Sequence, residues 1–122
     1  MKRTALMLGV LALSVLMSGV ASAQQAKPVV DEEERMDGVI RKFGYVSGQA
    51  FQCHPKEQQA KLERMALDVA TNILRLFGSD RAFFYAAAFG AGVTEQLDTK
   101  KCPEYIKQAE DMIGKLKVLS SK

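Results

Sequence analysis

Three observations predict an all-α fold, a small up-down-up-down four-helix bundle closed by one disulfide. Apolar residues recur at three- and four-residue spacings in four separate segments. No segment sustains the apolar–polar alternation of a half-buried strand. The only two cysteines, Cys53 and Cys102, fall at the end of the first such segment and the start of the last. The chain has 122 residues, 48% apolar and 25% charged. That length suits one domain with a single core, and the composition fits neither a membrane-spanning bundle nor a disordered chain.

Residues 1–23 read as a secretory signal peptide. Lys2 and Arg3 precede a charge-free apolar run from Thr4 to Val20, and Ala21-Ser22-Ala23 offers the small-x-small pattern of signal peptidase. Cleavage after Ala23 predicts a periplasmic or secreted protein with no remaining membrane span. It also removes two of the 17 basic residues and leaves 15 against 14 acidic ones. A near-neutral domain gives no electrostatic reason for a nucleic-acid partner.

Residues 24–30 form a polar, Pro-containing lead-in, and a single helical domain is expected over residues 31–122. Asp31-Glu32-Glu33-Glu34 opens the first helix, where carboxylates complement the positive end of the helix dipole. Met36, Val39, Ile40, Phe43, Val46, Ala50 and Phe51 make its apolar stripe. Gly44 and Gly48, four apart, predict close approach of another backbone or a bulky ring, with a kink as the alternative. Pro55 disfavours helical geometry at His54 and ends the segment.

The second helix spans Lys56 to Phe77, with Leu62, Met65, Val69, Ile73 and Leu76 on one face. Gly78 terminates it, and Ser79 or Asp80 is positioned to cap the third. From Ala82 to Thr94 thirteen residues carry no charge, and Phe83, Phe84, Tyr85 and Phe89 project around more than one face. This segment is either the central buried helix or one whose spare face meets a partner. Gly90 and Gly92 mark a kink or a tight crossing. After the polar turn 98–101, Pro103 suits the first turn of a fourth helix striped by Ile106, Ala109, Met112, Ile113, Leu116 and Leu119.

In an oxidising compartment an even pair of cysteines reads as a disulfide. With helices running up, down, up and down, the first ends where the fourth begins, so Cys53 and Cys102 meet. Two Cys and one His supply at most three ligands, and neither CxxC nor CxxCH occurs, so no metal or cofactor is expected. A lone histidine offers no Ser-His-Asp or Cys-His arrangement, and there is no P-loop, HExxH or dinucleotide glycine pattern. Catalysis is not expected.

In architecture alone the chain resembles several classes of small exported helical proteins with one disulfide, among them acid-stress chaperones, secretion pilotins and toxin-immunity proteins. The predicted function is therefore a non-enzymatic protein-binding module. Phe83, Phe84, Tyr85 and Phe89 are its expected anchors, and another protein or a second copy is its partner. The alternative is a carrier holding a small apolar ligand within the bundle, where Gly44, Gly48, Gly90 and Gly92 leave room.

Overall fold

The structure, a computed structural model, describes residues 31–122. The expected signal peptide and lead-in lie outside the described residues. Among these residues there are four α-helices and no strand: α1 (Glu32–Gln52), α2 (Lys56–Phe77), α3 (Ser79–Thr94) and α4 (Cys102–Ser120), the last entered through a 3-10 turn at Thr99–Lys101. None of the described helices is long and apolar enough to cross a membrane.

Local chemistry sets the boundaries. Asp31 caps α1, its carboxylate accepting the Glu33 N–H at 3.3 Å, and three glutamates fill the first turn. Pro55 stands at the start of α2. Gly78 alone joins α2 to α3, at φ +97°, a backbone conformation that side chains with a Cβ rarely adopt. Gly78 also takes the cap position of α3. Ser79 and Asp80 lie inside the helix and neither side chain caps it, which corrects the expected cap.

Cys53 and Cys102 form a disulfide with Cα atoms 5.5 Å apart, tying the end of α1 to the start of α4. Packing runs antiparallel from there. Ala50 clusters with Tyr105, Ile106 and Ala109 near the bond, while Ile40 shares a cluster with Leu116 at the far end. The helices α1 and α3 instead run parallel, since Asp37 pairs with Arg81, Gly44 faces Tyr85 and Gly48 faces Gly92.

These pairings change the expected bundle. In a simple up-down-up-down arrangement each helix lies beside its sequence neighbours. Here α1 packs mainly on α3 and then α4, α2 packs on α3 and less on α4, and α1 and α2 hardly touch despite their short connection. The circuit around the molecule is therefore α1, α3, α2, α4. Glycines cause the reordering, because they let α1 and α3 approach more closely than helices with side chains between them.

Helix α1 is also the central one. Residues Phe43 to Ala50 are all buried except the half-buried Tyr45. Helix α3, free of charge from Ala82 onward, buries only Tyr85 and Gly92 and turns Phe83, Ala86, Ala87, Gly90 and Ala91 outward. The main core gathers Ile40, Phe43, Val69, Ile73, Tyr85 and Leu116 from all four helices.

Candidate functional site

The contact between α1 and α3 frames the site. A Cβ placed on Gly44 would fall inside 3.0 Å of the Tyr85 carbonyl oxygen, and one on Gly48 inside that distance of the Phe89 carbonyl and the Val93 nitrogen. On the opposite helix a Cβ on Gly92 would meet the Tyr45 carbonyl. Backbone thus lies on backbone. Gly90 has open space around it and takes no part in the contact, so its expected packing role is corrected.

Polar groups hold the register at both ends. Arg81 Nε donates to Asp37 Oδ1 at 2.9 Å, half-shielded from solvent. At the other end α3 has no basic residue in its last turn, and α1 supplies the cap. Gln52 Nε2 donates to the carbonyls of Gly92 (2.7 Å) and Glu95 (2.9 Å), which the helix itself leaves unpaired. The Glu95 carboxylate accepts from the Tyr45 hydroxyl and from Gln49 Nε2. That hydrogen bond to an anion is the main cause holding the Tyr45 phenol above its ordinary pKa.

Between α2 and the α1/α4 pair lies a cleft of about 410 Å³. Its existence follows from residue size. Ser47, Ala50, Ala66 and Ala109 line it where larger side chains would fill the space, and α2 reaches across with Leu62, Met65 and Val69. The buried end is formed by Ser47, Ala50, Val69, Tyr85 and Ala109, and the exposed mouth by Gln58, Lys61 and Glu110. His54, which precedes Pro55 after the end of α1, is half-buried in the wall, its Nδ1 3.3 Å from Gln58 Oε1.

The four predicted aromatic anchors do not form one surface. Tyr85 is only 2% exposed and packs edge-on against Phe43 at 5.1 Å between ring centroids. Phe89 lines the cleft beside Phe51. Phe84 lies under the Arg41 guanidinium, 3.8 Å from the ring centroid, in a cation–π contact. Phe83 alone stands out, at 68% exposure. A shared anchor patch is thus corrected. At about 100° per residue, three consecutive aromatics must point in different directions. Of the residues that shape the cleft, Ala50 and Ala109 read in the sequence only as members of apolar stripes, and nothing marked Ser47 or Ala66 as lining a space. Their only signal is small size at inward positions of amphipathic stripes.

Burial pushes the Tyr85 phenol from 10.0 up to about 12, and the adjacent Ser47 hydroxyl offsets this only in part. A raised folded-state pKa means that the neutral phenol is favoured by folding. Its stabilising effect is complete below pH 10 and disappears as pH rises through 12. The loss over that window amounts to about 2 kcal/mol. Tyr85→Phe should remove this component, so urea unfolding at pH 9 and pH 12 is expected to show a smaller alkaline loss than in the wild type. Equal losses in both proteins would assign the transition to other groups.

Fold and site together define a class: a small all-α protein with one disulfide, two parallel helices in glycine contact, and an open interhelical cleft. The sequence matches no protein-family model, and comparison with curated proteins and with solved structures finds no match either.

Proposed function

We propose that this is an exported helical binding protein whose cleft carries a small apolar molecule. The observation that carries the reading is the cleft itself. Its volume lies within the range of ligand pockets, its walls come from all four helices, and its lining is largely apolar with a few polar groups. The composition, with one histidine and both cysteines joined to each other, supports binding over catalysis. Support for export comes from the Lys2-Arg3 start, the apolar run to Val20 and Ala21-Ser22-Ala23, which point to the periplasm or the exterior. A disulfide suits the same compartment.

The test is solvent extraction of protein purified from the periplasm, followed by mass spectrometry and by titration with the dye N-phenyl-1-naphthylamine. A co-purified apolar molecule, or dye uptake that such a molecule reverses, is expected. Empty protein that leaves dye emission unchanged would overturn the reading.

A second reading, a protein-binding module, is favoured by the outer face of α3. There Phe83 projects among Ala86, Ala87, Gly90 and Ala91 on a charge-free stretch. A second copy is the simplest partner. Sedimentation should then show a dimer that Phe83→Ser converts to monomer; a wild-type monomer at millimolar concentration excludes self-association.

A further inference from the structure

We infer that the cleft takes a single-chain amphiphile whose hydrocarbon tail enters first and whose zwitterionic head stays at the mouth, its anionic group on Lys61 and its cationic group on Glu110. The inference rests on the ligand-carrier reading and adds the head group and the orientation.

The buried end admits hydrocarbon only. Its two hydroxyls belong to Ser47 and Tyr85, which neighbour each other; the Ser47 Oγ is fully covered and Tyr85 is 2% exposed. The remaining surface there is carbon, from Ala50, Val69, Phe89 and Ala109. A polar group driven to that depth would lose its water and gain no partner. A tail gains by the same burial, so the tail goes in and the head faces out. A dry cavity of about 150 Å³ accepts benzene, so 410 Å³ has room for a tail of about ten carbons.

Four polar residues remain for the head. His54 and Gln58 occupy each other, Nδ1 lying 3.3 Å from Oε1. Lys61 on α2 and Glu110 on α4 are exposed on opposite walls of the mouth. Ion pairs among the described residues join Glu32 to Arg35 and Asp37 to Arg81, and neither Lys61 nor Glu110 enters one. A cation and an anion that border one opening without meeting leave space between them for a group of each sign. A head with one net charge would gain at one wall and be opposed at the other. A head carrying both charges gains at both.

The probes are decylphosphocholine, decyl sulfate and decyltrimethylammonium, which share one tail and differ in head charge. Each is titrated below its micelle concentration into the purified disulfide-bonded protein with N-phenyl-1-naphthylamine bound, and displacement is read as loss of dye emission. The wild type should bind the zwitterion about threefold more tightly than either ion, the gain of one further exposed charge contact. Lys61→Glu should transfer the preference to decyltrimethylammonium, and Glu110→Lys to decyl sulfate. The double exchange Lys61→Glu/Glu110→Lys returns both signs to the mouth and should restore the zwitterion. Both positions are exposed, so the fold is not at stake.

A wild-type preference for either ion, equal affinities for all three, or an order that the reversals leave unchanged would overturn the inference and leave the carrier reading standing. So would bound dye that none of the three displaces. A protein that takes up no dye would bring down the two together.

Discussion

Gly48→Ala is expected to destabilise the protein by about 3 kcal/mol, at the upper end of the usual cost of overpacking. Helix propensity alone gives the opposite sign, because alanine is favoured over glycine within a helix by about 1 kcal/mol. The contact decides the outcome. The new methyl would sit inside 3.0 Å of the Phe89 carbonyl oxygen, the Val93 nitrogen and the Gly92 Cα, all of them backbone atoms that cannot rotate away. Relief requires α1 and α3 to separate, which would also disturb Gln52 capping α3 and Gln49 pairing with Glu95. Gly90→Ala is the control. With open space around it, that change should stabilise by about 0.5–1 kcal/mol. Urea denaturation of both variants reads the difference, and a Gly48→Ala protein as stable as the wild type would refute the close contact.

Loss of the disulfide is expected to cost more. The bond spans a sequence separation of 49 residues, and the chain-entropy argument assigns a loop of that size about 4 kcal/mol. A domain of this size has a total stability of only about 5–14 kcal/mol. The cluster next to the bond is small, with Val46, Ala50 and Ala109 as its buried members, so it cannot substitute for the covalent link. Cys53→Ser/Cys102→Ser, or the wild type in excess dithiothreitol, should unfold at a much lower urea concentration. The wall of the cleft near His54 and Ile106 should open first, with loss of dye binding before loss of helicity. A midpoint unchanged by reductant would show that packing alone holds α1 to α4.

Much of the secondary structure was legible in the residues. The stripe from Lys56 to Phe77 coincides with α2, and Asp31, Pro55, Gly78 and Pro103 mark boundaries by rules that act over one or two residues. Legibility fails where identity no longer implies environment. Val39 belongs to the apolar stripe of α1 and is half exposed, and Leu67 and Leu74 on α2 also face outward. Hydrophobicity reports what a side chain gains by burial but not whether a neighbour arrives to bury it. The aromatic run in α3 misled for a related reason. Uncharged residues suggested a central helix, whereas centrality went to α1, whose glycines and small residues admit neighbours closely on several sides.

The cleft was the least visible feature, because it consists of volume that Ser47, Ala50, Ala66 and Ala109 leave unfilled. A small side chain in a periodic pattern looks the same whether a large one opposite fills the gap or nothing does. From residues alone came the four helices, the boundaries at Pro55, Gly78 and Pro103 and the joining of Cys53 to Cys102, since these depend on local backbone chemistry and on chain direction. The order in which the helices surround one another, the burial of Tyr85 and the space beside Ser47 were decided in three dimensions. They depend on how closely two backbones can approach, a property of pairs of helices that no single stretch of sequence contains.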